Sequence, residues 1–285
     1  MKFTKMQAYG NDYVYISLID QSMNNPSKWA VFVSDRHKGV GSDGMILICP
    51  SDVADFRMRV FNPDGSEAEM CGNGLRSVGK FAYAKGYTDK TDFTVETLGG
   101  IKKVHLWVEN GEVVNVSANI GQPVLDGDKI PVTVTNKENT LVGYEYKVID
   151  KVFRLTALSF GNPHCGVETE DVFNLDIEKY GPALENDKIF PNKANIHFYE
   201  VVDRHNINMR AWERNCGETL ACATGCSTAV YSAILAGKTA NSVDVHQRGG
   251  IVHIDYDPAD NTITMTGKTE IVFDGYIDDK LVEEN

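Results

Sequence analysis

The chain has 285 residues, enough for one large domain or two ordinary ones and for a sizeable core without disulfides or structural metal. Its 28 basic and 40 acidic side chains leave a net charge of −12 with no basic cluster, which argues against a nucleic-acid surface or an anionic-membrane surface. No stretch approaches the roughly 18 apolar residues of a membrane-spanning helix, and the first six residues carry no signal-like apolar run, so a cytoplasmic protein is expected.

Strand-like segments dominate. Residues 13–16 form a short apolar run, and a helix is expected near 29–35. Gly39-Val40-Gly41-Ser42-Asp43-Gly44 fits the spacing of a dinucleotide loop. That fingerprint should open a helix, however, and the strand-like run 45–48 follows instead. The segment therefore reads as a turn-rich loop. Residues 57–60 alternate charged and apolar side chains. After Cys71, apolar residues Leu75, Val78, Phe81 and Ala82 recur at helical spacing up to Gly86. Strands are expected at 103–108 and 113–116. A second helix follows Cys222 through Ala229, Val230, Ala233 and Ile234 to Gly237, and a strand is expected at 251–254.

The chain contains an internal repeat. Residues 61–74 align without a gap on residues 212–225, placing Cys71 on Cys222, Glu67 on Glu218 and Gly74 on Gly225. The offset is 151, and it also relates Gly10-Asn11 to Gly161-Asn162 and Gly86 to Gly237. Gly44 and Asn195 share it without sharing a residue type. Two structural halves related by a pseudo-twofold axis are inferred: residues 1–120, completed by a last strand near 270–285, and residues 121–269. Each half presents an asparagine loop and a cysteine at the start of a helix.

This pattern carries chemistry. The first N–H groups of a helix lack internal partners and lie at the positive end of its dipole. They can cradle a carboxylate and favour a thiolate. Two such thiols on opposite faces of one carbon can remove a proton from one side and return it on the other. Amides directed at the carboxylate stabilise the charge that develops. Asn11, Asn62, Asn162 and Asn195 are placed by the repeat as ligand contacts. The asymmetric positions, Asn62 opposite Glu213 and Pro63 opposite Arg214, are expected to select the substrate. Cys49, Cys165, Cys216 and Cys226 read as structural, and the spacing of Cys216, Cys222 and Cys226 matches no common zinc pattern.

At these residues the sequence resembles the diaminopimelate epimerase family, within a wider group that includes proline racemases and phenazine-biosynthesis isomerases. The resemblance runs from Lys5-Met6 and Gly10-Asn11-Asp12 through Cys71-Gly72-Asn73-Gly74 and Gly161-Asn162-Pro163-His164 to Trp212-Glu213-Arg214 and Ala221-Cys222. It implies an α+β fold of two pseudo-symmetric domains, each a mixed sheet wrapped around a central helix. It also implies no pyridoxal phosphate, no metal and a small-molecule amino-acid substrate; a homodimer stands as an expectation that the sequence itself does not give. Cys71 and Cys222 would exchange the proton, with His164 and Glu213 adjusting their protonation. Gly72, Asn73, Ala223 and Thr224 would hold the reacting carboxylate. Asn11, Gly44, Asn62, Asn162, Asn195, Glu213 and Arg214 would hold the rest of the substrate, with Arg214 on the distal carboxylate. Ala223 stands where glycine is common, and Ile196-His197 also departs from the usual pattern. The expected reaction interconverts LL- and meso-diaminopimelate. A racemase of another amino acid such as histidine, and a thiol-redox or ligand-binding module, stand as alternatives.

Overall fold

The computed structural model describes residues 1–133 and 136–284. In chain order the elements are β1 (Lys2–Ala8), β2 (Asn11–Ser17), α1 (Pro26–Ser34), β3 (Met45–Cys49), β4 (Phe56–Phe61), β5 (Glu67–Ala68), α2 (Gly72–Ala84), β6 (Asp92–Thr97), β7 (Gly100–Glu109) and β8 (Glu112–Gly121). There follow β9 (Tyr144–Val148), β10 (Lys151–Ser159), β11 (Pro163–Glu168), α3 (Ile177–Glu185), β12 (Asn195–Asp203), β13 (Asn206–Glu213), β14 (Gly217–Thr219) and α4 (Ala223–Leu235). The chain ends with β15 (Ser242–Gln247), β16 (Gly250–Asp257), β17 (Thr262–Gly267), β18 (Glu270–Tyr276) and α5 (Asp279–Glu284). Two compact units result: Met1–Asn119 with Thr266–Asn285, and Ile120–Met265. The fold class is α+β.

In the first unit β1 pairs antiparallel with both β2 and β18. Parallel pairing joins β2 to β3 and β4 to β6, and antiparallel pairing joins β3 to β4 and runs β6 to β7 to β8. Helix α2 packs against β1, β2, β4 and β7 and is buried over most of its length. It comes close to the strands because Gly79 has no side chain. A Cβ there would approach Val104 Cγ1 to 2.9 Å. The helix ends before Gly86, whose φ of 73° is the left-handed stop that glycine tolerates best.

The second unit repeats this plan. β10 pairs antiparallel with β11, β11 parallel with β12, β12 antiparallel with β13, and β13 parallel with β15. Helix α4 packs against β11, β12, β13, β15 and β16. Its Ala, Ser, Thr and Cys side chains let it sit buried on all sides. Registers coincide under the offset of 151: Val14 faces Met45 and Cys165 faces Ile196, while Phe61 faces Glu67 and Trp212 faces Glu218. Helix α3 has no sequence signal of its own. It carries Gly181-Pro182 inside, a pair that reads as a turn, yet Asp176 caps it and the bare Gly181 lies under the Trp212 ring. Glu185 of α3 then accepts from Trp212 Nε1 (2.8 Å) and from the Asn215 N–H (3.0 Å), fixing the turn after β13.

One ion pair is also repeated. Arg59 grips Glu67 in bidentate fashion, both bonds at 2.8 Å, and Arg210 grips Glu218 at 2.7 and 3.0 Å. These pairs pin the short strands β5 and β14, which lead directly to Cys71 and Cys222. The first pair is partly exposed, whereas Arg210 is 7% exposed and also donates to the Val172 and Leu175 carbonyls. Glu218→Ala should therefore lower unfolding free energy by roughly 3 kcal/mol, by stranding a buried guanidinium. Glu67→Ala should cost only about 1 kcal/mol, because water reaches its partner. Urea denaturation of the two variants measures the difference, and equal losses would contradict the burial argument.

Candidate active site

Cys71 and Cys222 are the N-cap residues of α2 and α4, each helix 13 residues long. Their backbones agree, with φ of −134° and −132°. In a helix N-cap the side chain takes over an amide that the helix cannot satisfy. Here the Cys71 sulfur accepts from the Gly74 N–H at 3.3 Å. Cys222 makes no such side-chain cap bond; the nearby Gly225 amide only works to favour its thiolate, and the Thr224 hydroxyl lies 3.5 Å from the sulfur. The Cys222 N–H donates to Gln247 Oε1 at 2.8 Å.

In the first unit the structure gathers Asn11, Asn73 and Cys71. Asn11 Oδ1 accepts from Asn73 Nδ2 at 3.2 Å and lies 3.9 Å from the Cys71 sulfur. Asn73 in turn accepts from Arg76 Nη2 at 2.6 Å, and Arg76 is fully buried. Asn11 Nδ2 donates to Asp43 at 3.0 Å. Asp43 also accepts from the Asp12 N–H and from Arg36, so the loop before β3 carries an ion cluster and not a nucleotide phosphate cradle. Lys5, buried, pairs with Asp12 and with the Gly41 carbonyl. Burial works to raise the Asp12 carboxyl, but the bond to Lys5, its charge and Arg36 hold it low. Burial raises Asp43, and the neighbouring Asp12 charge adds to that. Gly44 has no room for a side chain, since a Cβ would meet the Phe61 carbonyl at 2.3 Å. Asn62 lies in the turn after β4, donating to Ser66 Oγ at 3.0 Å. Gly72 is the buried first residue of α2.

Tyr13, which sequence reasoning passed over, hydrogen-bonds Cys71. Its phenol is pushed well above its ordinary range by burial and by the Cys71 sulfur, so it stays protonated and donates. The signal was available: the offset of 151 sets Tyr13 against His164.

In the second unit Asn162 precedes β11 and His164 lies on it, Asn195 opens β12, Glu213 ends β13 with Arg214 just beyond, and Ala223 and Thr224 open α4. Asn195 Nδ2 donates to the Pro163 carbonyl at 3.1 Å, and Asn195 Oδ1 accepts from the Arg214 N–H at 3.0 Å. Arg214 Nη1 reaches the Asn192 carbonyl at 3.4 Å. Both nitrogens of His164 are engaged, by His197 and Asn162, at 2.8 Å each. Burial and the Arg214 charge push His164 down to about 3, so the ring is neutral at pH 7. Ala223 is buried, and Thr219 Oγ1 donates to Glu213 at 2.5 Å. Cys165 and Cys226 are buried in the core, but Cys216 is exposed in the turn after β13, which corrects its reading as a structural cysteine. That turn uses Asn215 and Gly217 at positive φ, and the tight reversal turns residue 216 outwards. Among the described residues no group of three or more His, Cys, Asp or Glu could hold a metal ion, and no helix is long and apolar enough to cross a membrane.

One expectation is overturned. A helix terminus should lower a thiol's pKa, yet Cys222 is pushed well above the usual value. Burial is the main cause and the Glu213 carboxylate adds to it, outweighing the Thr224 hydroxyl and the Gly225 amide. In this state Cys222 holds its proton.

Two outcomes follow from these charges. Glu213→Gln removes a negative neighbour, so the pH midpoint for alkylation of Cys222, followed by peptide mass spectrometry, should move down. An upward shift would mean that Glu213 does not raise this thiol. The two buried histidines give the second. Their folded pKa values lie below the ordinary 6.5, His164 at about 3, so as pH falls from 6.5 the unfolded chain binds protons that the folded chain refuses. Their contribution is complete above pH 6.5 and is lost as pH falls. His253 has the opposite sign, since Asp244 and Asp255 outweigh its burial, but it is partly exposed and its effect smaller. Unfolding midpoints in urea should therefore drop between pH 6.5 and 4.5, and a flat profile would exclude two neutral buried rings.

The diaminopimelate epimerase family model matches residues 3–125 and 156–272. A diaminopimelate epimerase of Agathobacter rectalis is 47% identical over 285 residues, covering 98% of this chain and 99% of its own. One from Methanococcus maripaludis is 46% identical over 278 residues, covering 98% and 100%. A probable proline racemase from Agrobacterium radiobacter superposes with a TM-score of 0.70 at 13% identity, covering 97% of this chain and 92% of that one. A phenazine biosynthesis protein of the PhzF family from Bacillus anthracis gives 0.67 at 18% identity, covering 96% and 98%. These two share the fold. The chain, with two helices capped by cysteine in repeated α+β units, belongs to the diaminopimelate epimerase family of isomerases.

Proposed function

We propose that this protein interconverts LL- and meso-diaminopimelate, in the service of lysine biosynthesis, by a two-base mechanism without pyridoxal phosphate or metal. The observation that carries the reading is the matched N-cap geometry of Cys71 and Cys222. The thiolate of one cysteine takes the α-proton, and the thiol of the other gives its proton to the opposite face of the carbon. The cysteines end with their protonation states exchanged, so the enzyme serves both directions. Cys222, protonated here, is poised as donor, and Tyr13 supplies a hydrogen bond that favours thiolate at Cys71.

The α-proton is weakly acidic, and the helix-terminal amides answer that difficulty. Backbone N–H groups at Gly72, Asn73, Ala223 and Thr224 would face the reacting carboxylate and stabilise charge as it builds. Asn11, Gly44, Asn62, Asn162, Asn195 and Arg214 would hold the rest of the molecule, Arg214 taking the distal carboxylate as a fork. Glu213 and His164 would set the protonation of the thiols. The relatives compared carry the diaminopimelate name and do not favour the histidine-racemase alternative.

The same reading takes the protein as a cytoplasmic homodimer. Strand β18 exposes Val272, Phe273 and Tyr276, an apolar set suited to a second copy. Light scattering should return twice the 31.5 kDa chain mass.

The decisive experiment incubates the protein, free of pyridoxal phosphate, with a panel of amino acids in D2O. Deuterium should enter the α-position of diaminopimelate. Exchange into histidine or another monoamino acid alone would reject this substrate. Cys71→Ala and Cys222→Ala should each abolish epimerisation, and full activity in either would reject the two-base chemistry.

A further inference from the structure

His197 has no role in the chemistry above, yet it is fully buried and touches the site on two sides. Its Nε2 lies 2.8 Å from Nδ1 of His164, with the two rings 5.1 Å apart. His164 Nε2 lies 2.8 Å from Asn162 Oδ1. The last nitrogen, His197 Nδ1, is buried and has no hydrogen-bond partner. It lies against Gly225, the third residue of α4, where a Cβ would come within 2.4 Å of it. The amide of the same glycine works to favour the thiolate form of Cys222.

Both rings are neutral: burial and Arg214 hold His164 down, and burial and His164 hold His197 down. Two neutral rings in series leave two arrangements of protons. In one, Asn162 donates to His164, His164 donates from Nδ1, and His197 carries its proton on Nδ1. That arrangement buries an N–H with no acceptor and points it at the positive end of α4. In the other, His197 donates from Nε2, His164 donates from Nε2, and Asn162 Oδ1 accepts. A lone pair then faces the helix terminus. The helix dipole favours the lone pair. Orphaned buried N–H groups are also rarer than orphaned acceptors. The second arrangement wins on both counts.

We propose that His197 is a positioning residue: it takes its tautomer from the start of α4 and, through His164, holds the Asn162 carboxamide with its oxygen inwards and its NH2 free to donate to the substrate. The inference rests on the reading of Asn162 as a substrate contact. The first unit provides a contrast. At the same offset Ile46 replaces His197 and Tyr13 replaces His164. Ile46 Cδ1 lies 2.4 Å from a Cβ on Gly74, so it fills the same niche against α2 with a methyl group. There Asn11 accepts from Asn73 instead. The two asparagine loops are thus held by different partners.

The test is nitrogen-15 NMR of the histidine rings in the whole ligand-free protein at pH 7. Both rings should be neutral and protonated on Nε2. A proton on Nδ1 of His164, or a charged ring, overturns the proposal, with no variant needed. His197→Phe keeps the ring and removes the donor. In a variant with wild-type circular dichroism, KM for diaminopimelate should rise about tenfold, the worth of one hydrogen bond to substrate, with kcat less affected. His197→Gln, which keeps an N–H donor, should recover most of the loss. A folded His197→Phe protein with unchanged KM overturns the proposal. Wild-type protein inert towards diaminopimelate refutes the functional reading instead, and the ring tautomers still decide the role of His197.

Discussion

The unsatisfied amides at the start of a buried helix are the constraint from which the rest of this structure follows. A helix enclosed by sheet cannot pass its first N–H groups to water, so a side chain must accept them. In the first unit that acceptor is the Cys71 sulfur, and in the second Cys222 holds the same N-cap position with its sulfur beside the Thr224 hydroxyl. Sulfur is a weak acceptor when it carries a proton and a stronger one when it does not. The requirement that caps the helix is thus the requirement that couples the thiol to the helix end. Glycine three residues on lets the Gly74 amide close on the Cys71 sulfur, and in both units, as Gly74 or Gly225, it lets Ile46 or His197 pack beneath the turn.

The approach to each cysteine is held as tightly as its cap. The strands β5 and β14 are only two and three residues long and would not persist on backbone pairing alone. The Arg59–Glu67 and Arg210–Glu218 forks clamp them to the preceding strands, at equivalent places in both units. The surroundings then differ. Asn11 is tied to Asn73 and through it to the buried Arg76, whereas Asn162 is tied to His164 and His197. Glu213, where the first unit has Asn62, adds a charge beside Cys222. On the proposed reading, proton transfer calls for likeness between the halves, and choosing one amino acid calls for this unlikeness.

The sequence alone determined the repeat, the two capped helices and the short apolar strands, because these depend on periodicity and spacing that survive without coordinates. An offset of 151 needs only counting, and Gly86 and Gly237 announce helix ends by being the residue that accepts a left-handed φ. Helix α3 was hidden, since Gly181-Pro182 looks like a turn until the Trp212 ring is seen above it. The parts played by Tyr13, Arg76 and His197 were decided only by the tertiary structure. Each is a group whose meaning depends on what lies across a strand pair or under a helix. The protonation of Cys222 was decided there too: the helix end argues for a thiolate, but enclosure and Glu213 argue more strongly against it. Spacing along the chain records which groups repeat, whereas burial and neighbouring charge exist only after folding, and these set the state of the cysteine.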